Sequence, residues 1–359
     1  MRFLTVLGAR PQFIKAAPLT SVLRRHHEEV LVHTGQHYDY GMSEVFFAEL
    51  GIPAPDHHLG VGSGSHGAQT GAMLERLEGV MLEAQPDVVL VYGDTNSTLA
   101  GALTAAKLQI PVAHVEAGLR SFNRTMAEEV NRVITDHLST WLFAPSAHAE
   151  RQLRAEGIET GVHVVGDIMY DALRLHAERA RQISKYPETV GLRPGDYYLC
   201  TVHRAENTDA PERLEAILCG LSRLDKHVVL PMHPRTRKRL AERGLAPGVN
   251  VRVCEPVGYL DMLQLVSASA AVLTDSGGLQ KEAYYLEVPC VTLREETEWV
   301  ETVQVGWNTL AGTDPDAMVA AIARFRVDRP PHPPLYGSGD TAGRIARVFE
   351  SGSSTDALQ

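Results

Sequence analysis

Two acidic side chains follow apolar, strand-like runs in the first half of the chain. Asp94 ends the run "DVVLVYGD", and Glu116 ends the run "PVAHVE". The stretch between them is rich in alanine and leucine and fits one crossover helix, so the strands are predicted to be parallel neighbours about 4.8 Å apart. Two carboxyl groups at such a short distance do not readily ionise together. One is then suited to act as an acid and the other as a base. Alternatively, each caps the following helix or turn, and "DTNST" is a good N-cap sequence.

A second pair of acids, Glu128 and Glu129, opens the predicted helix "EEVNRVITDHLSTWL". The apolar positions that predict its buried face are Val130, Ile134, Leu138 and Trp141. Glu128 points away from that face and has Arg132 as its i+4 neighbour. The helix pattern by itself therefore indicates a solvated acid in the first turn, where the helix dipole favours negative charge.

The segment "LTDSGGLQKEA" has the pattern of an anion-binding turn between a strand and a helix. Ser276 can cap the helix, and Gly277 and Gly278 allow backbone amides to approach an anion closely. Glu282 lies further along the same helix, where a carboxylate could accept ribose hydroxyls. The alternative is a plain tight turn, and Asp275, Ser276 and Glu282 together favour the phosphate-binding interpretation.

Basic residues also follow predicted strands, although the chain has a net charge of −10. His203 in "TVHRAEN" and His233 in "PMHPRTRK" end strands of the second half, each beside arginine. Arg10 and Lys15 follow the opening strand in "GARPQFIK". A solvated loop or a structural histidine would explain each one singly, but together they indicate a local site for an anionic ligand.

Neither a dinucleotide nor a metal site is predicted. The segment "GSGSHG", residues 62–67, matches GxGxxG but follows a Pro/His-rich loop, whereas the dinucleotide fingerprint requires a preceding strand and a βαβ setting. HExxH and GxSxG motifs are absent from the sequence. We therefore expect no cofactor and no metal.

The elements that must position these residues form an α/β pattern. Short apolar runs alternate with longer helical patterns over 359 residues, which predicts two doubly wound parallel sheets, with domains 1–170 and 171–339. The net negative charge argues against nucleic-acid and membrane partners. No apolar run has the length of a transmembrane helix, and the four separated cysteines indicate reduced thiols of a cytoplasmic protein.

The motifs together resemble a known family. In this sequence they are "GARPQFIKAAPL", "TGQH", "VYGDTNSTLAG", "HVEAGLRS", "EEVNR", "TVHRAEN", "PMHPRTRK" and "LTDSGGLQKEA". Between residue 3 and about residue 312, the chain is similar to the non-hydrolysing UDP-N-acetylglucosamine 2-epimerases. The resemblance implies a glycosyltransferase-B-like fold of two Rossmann-like domains facing a cleft, a C-terminal helix at about 340–352 that packs on the first domain, and a homodimer.

The resemblance also implies a reaction, the interconversion of UDP-GlcNAc and UDP-ManNAc through elimination and re-addition of UDP. Carboxylates would move the proton at C2, and cations would hold the departing UDP. The residues that match the family's catalytic positions are Asp94, Glu116, Glu128 and His203. Those that match UDP-binding positions are Arg10, Ser276, Gly277, Gly278 and Glu282, and the additional cleft residues expected are Lys15, Arg132 and His233.

Some departures leave alternatives open. Ala127 replaces the usual proline before the glutamate pair, and "TGQHYDYGMSEVFF" differs from the branch in which substrate is also an allosteric activator. "GARPQFIK" and "SFNRTM" resemble relatives that act on more decorated UDP-sugars, such as UDP-2,3-diacetamido-2,3-dideoxy-glucuronic acid, and Arg120 and Arg124 are candidates for contacting sugar substituents. A hydrolysing epimerase, a glycosyltransferase and an inactive UDP-sugar-binding regulator are the other hypotheses.

Overall fold

The computed structural model describes residues 1–36, 47, 51, 53–232 and 234–351, with the backbone alone for Arg10, Pro234 and Arg235. The chain divides into two compact units. The first comprises Met1–Arg174 and the chain from Tyr336 onward, and the second comprises Leu175–Leu335.

The first unit contains a seven-stranded sheet in which the hydrogen-bonded neighbours are parallel. Its strands are β1 Arg2–Leu7, β2 Glu28–His33, β3 His57–His58, β4 Val88–Tyr92, β5 Val112–Val115, β6 Trp141–Ala144 and β7 Val162–Val164. Its helices are α1 Arg10–Leu23, α2 His66–Ala84, α3 Asn96–Lys107, α4 Ala127–Leu138, α5 Ala147–Ala155 and, at the C-terminus, α15 Thr341–Ser351. The strand order is β3-β2-β1-β4-β5-β6-β7.

The second unit contains a six-stranded parallel sheet in the order β10-β9-β8-β11-β12-β13. Its strands are β8 Tyr197–Thr201, β9 His227–Pro231, β10 Val251–Cys254, β11 Ala271–Thr274, β12 Cys290–Thr292 and β13 Asn308–Leu310. Its helices are α7 Tyr186–Thr189, α8 Ala205–Asp209, α9 Pro211–Ser222, α10 Pro234–Glu242, α11 Tyr259–Ala268, α12 Gly277–Tyr285, α13 Val300–Gln304 and α14 Pro315–Val327. Helix α6, Ile168–Ile183, carries the chain from the first unit into the second.

The central strands explain why the sequence forms parallel sheets. Every residue of β4 and of β11 is buried, as expected for strands covered on both faces by helices. The predicted fold class, two doubly wound α/β sheets, is confirmed. The short edge strands β3 and β13 were not predicted, because two or three residues carry too little periodicity.

Strand β3 corrects one premise about "GSGSHG". A strand does precede this segment, but it spans only two residues at the edge of the sheet. The dinucleotide fingerprint belongs to the first βα turn of a Rossmann sheet, which here follows β1.

The chain leaves the first unit after Arg174 and returns to it at Tyr336. The sequence placed these boundaries at 170/171 and 339/340, and the difference arises because α6 runs without interruption through the first boundary. Helix α15 lies in the first unit, where the ring of Phe349 contacts Phe3 at 4.9 Å between centroids. Asp171 accepts hydrogen bonds from the amides of Thr341 and Ala342 and so caps this helix.

Within the described residues, no helix combines the length and apolar character needed to cross a membrane.

A buried histidine in the second unit should make its stability sensitive to acid. His176 is 1% exposed, and neither ring nitrogen has a hydrogen-bond partner among the described residues. Burial, with a smaller contribution from the charge of Arg179, lowers the pKa of His176 to about 4 from 6.5. The unfolded chain therefore binds a proton more readily than the folded one, so stability is complete above pH 6.5 and is lost as the pH falls towards about 4.

We expect His176→Leu to remove this part of the acid dependence, which amounts to at most about 3 kcal/mol. Urea unfolding at pH 8 and pH 5 (roughly one to two units on either side of the histidine range), followed by tryptophan fluorescence, measures it. His227→Leu, at an exposed position of the same unit, is the matched control and should behave as wild type. An unchanged pH dependence in His176→Leu would contradict the prediction.

Candidate active site

Each sheet has a switch point, where the strand order reverses direction, and ligands of doubly wound sheets bind beyond the carboxyl ends of the strands there. In the first unit the switch lies between β1 and β4, and in the second it lies between β8 and β11. Asp94 follows β4, whereas His203 and Asp275 follow β8 and β11. The sequence-predicted residues therefore lie at the topologically expected position of each unit.

Asp94 is paired with Arg132 and does not cap the next helix. The N-cap of α3 is Thr95, whose side chain accepts a hydrogen bond from the amide of Thr98. The Asp94 carboxylate forms an ion pair with the largely buried guanidinium of Arg132. Asn131 donates to the Asp94 carbonyl oxygen at 2.9 Å, so helix α4 fixes both the backbone and the side chain of this acid. The capping alternative for Asp94 is therefore wrong.

Glu116 is buried, forms an ion pair with Lys15, and has a strained backbone. Its φ is +76°, a conformation that costs a residue with a side chain about 1 kcal/mol or more. Three of the other four non-glycine residues with positive φ follow the ends of helices, as is usual; Glu116 and Phe122 do not. Gly93 lies against the ion pair, since a Cβ there would lie 3.2 Å from Lys15 Nζ.

Helix α4 buries mainly a polar face. Of the four apolar positions predicted to be buried, only Leu138 packs against the core from this helix, since Trp141 belongs to strand β6. Val130 and Ile134 are 41% and 38% exposed, respectively. The residues of α4 that are buried are Glu129, Asn131, Arg132, Thr135 and Asp136. The reversal has a physical cause: the neighbouring surface carries polar groups that must be hydrogen-bonded when buried, and only the polar face of α4 can satisfy them.

The two glutamates of this helix have different environments. They open α4 as predicted. Glu128 is exposed and has no hydrogen-bond or ion-pair partner within the described part of the chain, so its carboxylate is accessible to a ligand. Glu129 is buried and accepts from the Ser121 amide and hydroxyl, the Phe122 amide and Arg132 at 2.9–3.0 Å. Arg132, the i+4 neighbour of Glu128, therefore pairs with Glu129 and Asp94.

The first turn of the first unit depends on residues that were not singled out in the sequence. Gln12, in "GARPQ", accepts hydrogen bonds from the amides of Gly8 and Ala9 and donates to the carbonyl of Tyr92 at 2.9 Å. It therefore ties the β1–α1 turn to the end of β4. Gly8 has no room for a side chain, since a Cβ would lie 2.0 Å from Ser97 Oγ. In the sequence, this role of Gln12 could have been inferred only from its residue type and its position just after the first strand.

In the second unit, a fully buried carboxylate orients His203. Asp275 accepts hydrogen bonds from the amides of His203 and Arg204 and from Asn207 Nδ2, all at 3.1–3.2 Å. Its Oδ1 also lies 2.9 Å from Nδ1 of His203, whose side chain is 54% exposed. Burial opposes ionisation of Asp275, but the interactions with His203 and the amide donors prevail and hold its pKa below the usual value.

The "DSGG" turn forms a helix N-terminus, as predicted. Ser276 is the N-cap of α12, and its hydroxyl accepts from the Leu279 amide. The helix starts at Gly277, so the amides of Gly277 and Gly278 have no acceptor within the helix. Amides in this position, together with the helix dipole, favour a phosphate.

Further along α12, Glu282 is buried, and Lys281 lies over the ring of Trp299 with its Nζ 3.9 Å from the centroid. Arg294, which follows β12, is paired with Glu298 through both terminal nitrogens at 3.1 and 3.2 Å. Of the other predicted residues, His233 and the side chain of Arg10 lie outside the described residues.

The carboxyl-terminal edges of the two sheets offer different chemical groups. The first offers carboxylates that are paired with cations or exposed, which is suited to proton transfer. The second offers a carboxylate-oriented histidine and a helix N-terminus, which is suited to holding an anion.

Comparison with known proteins identifies the family. A family model described as UDP-N-acetylglucosamine 2-epimerase matches residues 21–350. A Methanococcus maripaludis protein named as a UDP-N-acetylglucosamine 2-epimerase homolog is 49% identical over 98% of this chain and 100% of its own length. The UDP-2,3-diacetamido-2,3-dideoxy-D-glucuronate 2-epimerase of Pseudomonas aeruginosa is 48% identical over 97% of this chain and 99% of its own.

A solved structure agrees with both sequence matches. The UDP-GlcNAc 2-epimerase of Methanocaldococcus jannaschii, crystallised in complex with UDP-GlcNAc and UDP, is 44% identical. It superimposes with a TM-score of 0.89 over 98% of this chain and 100% of that chain. The chain thus belongs to the UDP-N-acetylglucosamine 2-epimerase family, whose members are isomerases.

Proposed function

We propose that this protein is a non-hydrolysing UDP-N-acetylglucosamine 2-epimerase that interconverts UDP-GlcNAc and UDP-ManNAc. The proposal rests on two acids that follow neighbouring strands in a chain of this family. Glu116 forms an ion pair with Lys15, and Asp94 forms one with Arg132. The C2 hydrogen of an N-acetylamino sugar is poorly acidic, so a positioned base and a good leaving group are both required.

The proposed reaction proceeds in two balanced halves. A carboxylate removes the proton at C2 while the C1–O bond to UDP breaks, which leaves a C1=C2 double bond, the 2-acetamidoglucal, and free UDP. UDP then adds back to C1, and a second acid delivers a proton to the opposite face of C2. We assign the proton transfers to Asp94, Glu116 and Glu128, without dividing the two faces among them.

The second unit is proposed to hold UDP. The amides of Gly277 and Gly278 and the Ser276 cap would receive phosphate oxygens, and Glu282 would take the ribose. His203, held by Asp275, would stabilise the charge that develops on the diphosphate as it leaves. Arg10, in the first unit, and His233 are proposed as further UDP-binding residues.

We also propose that the protein is a cytoplasmic homodimer whose product supplies cell-surface polysaccharide synthesis. Free thiols at Cys200, Cys219, Cys254 and Cys290 support a reducing compartment, and the dimer rests on the family resemblance.

Incubation with UDP-GlcNAc in deuterated water tests the proposal. We expect UDP-ManNAc to form and deuterium to appear at C2 of both sugars. Free ManNAc as the stoichiometric product would indicate a hydrolysing enzyme. Absence of both exchange and UDP-ManNAc would reject UDP-GlcNAc as substrate.

A second candidate substrate is a UDP-diacetamido-uronic acid, because the relative from Pseudomonas aeruginosa acts on one by name. Arg124 supports this candidate. It is exposed and, among the described residues, has no acidic partner. It lies in the segment that follows Ser121 and Phe122, which Glu129 holds in place. A free cation there could bind the C6 carboxylate.

If the uronic acid is a substrate, Arg124→Met should raise its KM about tenfold, the effect expected from losing one charge-assisted hydrogen bond. The KM for UDP-GlcNAc, which has no carboxylate at C6, should be unchanged. Steady-state kinetics with both sugars measure the two values, and Arg181→Met, at an exposed position of α6, is the control. Equal effects on both sugars would exclude Arg124 as a carboxylate-binding residue.

A further inference from the structure

His114, in the middle of the acid-bearing region, has two hydrogen-bond acceptors. It lies in β5 two residues before Glu116 and is completely buried. Its Nε2 is 2.8 Å from the carbonyl oxygen of Gly93. Since a carbonyl oxygen has no hydrogen to donate, Nε2 must carry one.

The other ring nitrogen faces a carboxylate. Nδ1 of His114 lies 2.7 Å from Oδ1 of Asp136, which is also fully buried. The second oxygen of Asp136 accepts from Arg120 Nη1 at 2.7 Å and from the Gly118 amide at 3.1 Å. Burial opposes ionisation, but His114 and Arg120 outweigh it and hold the pKa of Asp136 below its usual value. Because the Arg120 guanidinium, which is always charged, pairs with Asp136, this carboxylate is ionised, so Nδ1 must donate as well.

A histidine that donates from both nitrogens is an imidazolium. The charged groups around it balance its charge. Asp136 faces it from α4, Arg120 binds Asp136 from the β5–α4 connection, and Glu156, after α5, binds Arg120 at 2.7 and 2.8 Å. The other charged groups on the elements around it are ion pairs and exposed side chains. The pairs are Lys15–Glu116, Arg132 with Asp94 and Glu129, and His137 near Glu156, and the exposed groups are Arg124 and Glu128. Removing one member of such a buried set would leave an uncompensated charge, which is costly.

The sequence suggested Arg120 as a residue that contacts a sugar substituent. The cluster argues against that role. Both sides of the Arg120 guanidinium are occupied, by Asp136 and Glu156, and its side chain is 1% exposed.

The cluster forms hydrogen bonds to the backbone of both turns, the one that carries Asp94 and the one that carries the strained Glu116. The carbonyl of Gly93, held by His114, belongs to the residue that lies against the Lys15–Glu116 pair and precedes Asp94. The amide of Gly118, held by Asp136, lies two residues after Glu116. Gly118 itself has a φ of +82°, and a Cβ there would lie 2.5 Å from the carbonyl oxygen of Ala149. One ion pair thus joins the turn that carries Asp94 to the turn that carries Glu116.

We propose that His114, which donates from both ring nitrogens, is a positioning residue that with Asp136 fixes the spacing of Asp94 and Glu116. Its catalytic consequence rests on the proposed epimerase function, but its protonation state does not. The residues proposed to act on substrate remain Asp94, Glu116 and Glu128, and His114 acts through the backbones of the first two.

Nuclear magnetic resonance of the wild-type protein tests the protonation state directly. With ¹⁵N-labelled histidine, one ring should carry a proton on both nitrogens near neutral pH, the state in which both donate. The His114 ring is assigned by nuclear Overhauser contacts from its Nε2 proton to Gly93. A proton on only one nitrogen of that ring would overturn the proposal.

Asp136→Asn tests the positioning role. The amide allows a neutral His114, which removes the ion pair while keeping the shape. We expect kcat for deuterium exchange at C2 to fall about ten- to hundredfold, because small misplacements of reacting groups have effects of this size. KM and the calorimetric Kd for UDP should stay within about twofold of wild type, since UDP binding is assigned to other residues.

The outcomes are distinguishable. A variant that unfolds at lower temperature but keeps the wild-type kcat per folded molecule would show a purely structural role and reject positioning. If wild type itself exchanges no deuterium with either sugar, the proposed function fails, while the resonance test of His114 still decides its protonation state.

Discussion

Glu116→Gln should reduce deuterium exchange at C2 of UDP-GlcNAc by about a hundredfold or more, the usual contribution of a general acid or base. The amide has the same shape and can still accept a hydrogen bond from Lys15, but it cannot take a proton. The strained backbone at φ +76° is unaffected by this exchange of side chains, but Lys15 loses its charge partner. We therefore expect some loss of stability, and the rate is taken per folded molecule. The measurement is the initial rate of deuterium incorporation in saturating UDP-sugar.

Glu78→Gln is the matched control, since Glu78 lies on the exposed surface of α2 in the same unit. It should exchange deuterium at the wild-type rate. Full activity in Glu116→Gln, with either UDP-sugar, would remove Glu116 from the proton-transfer step. Exchange retained without formation of the epimer would instead assign Glu116 to one face of C2 alone.

Asp275→Asn should have the largest effect on the second unit, in both stability and nucleotide binding. The buried carboxylate accepts hydrogen bonds from two amides and Asn207 and is paired with His203. An amide presents an N–H group to at least one of these donors, so we expect a loss of about 3 kcal/mol in the free energy of unfolding. Binding of UDP should weaken about tenfold, because the orientation of His203 is lost.

The pH dependence gives this prediction a second measurement. The pKa of folded Asp275 lies below its usual value, so its stabilisation is present near neutral pH and is lost as the pH falls below the ordinary Asp range. The variant should lack that part of the acid dependence. Urea unfolding can be followed by the fluorescence of Trp299 and Trp307, both of which lie in the second unit.

Asp328→Asn, at an exposed position of the same unit, should match wild type in stability, pH dependence and calorimetric UDP affinity. If Asp275→Asn unfolds like this control, the hydrogen bonds to the carboxylate contribute little to folding. If it unfolds earlier but binds UDP normally, Asp275 has a structural role only.

The sequence by itself determined the features that depend on local pattern. Apolar runs of strand length, each followed by a helical pattern, predicted both parallel sheets, because a strand buried on both faces is necessarily apolar throughout. The positions of Asp94 and Glu116 just beyond neighbouring strands followed from the same pattern, since parallel strands end at one edge. Ser276 before Gly277 predicted a capped helix, because capping depends on residues only three positions apart.

Only the tertiary structure decided which charges meet. Lys15 and Glu116 are 101 residues apart, and the order of β1, β4 and β5 in the sheet brings them together. The buried face of α4 was mispredicted because apolar periodicity assumes an apolar neighbour, whereas α4 packs where Asp94 and His114 need hydrogen-bond partners. Arg120, which the sequence left free for a ligand, is occupied by Asp136 and Glu156 for the same reason. Residue types predicted that acids and cations would gather here, but their pairing required the fold.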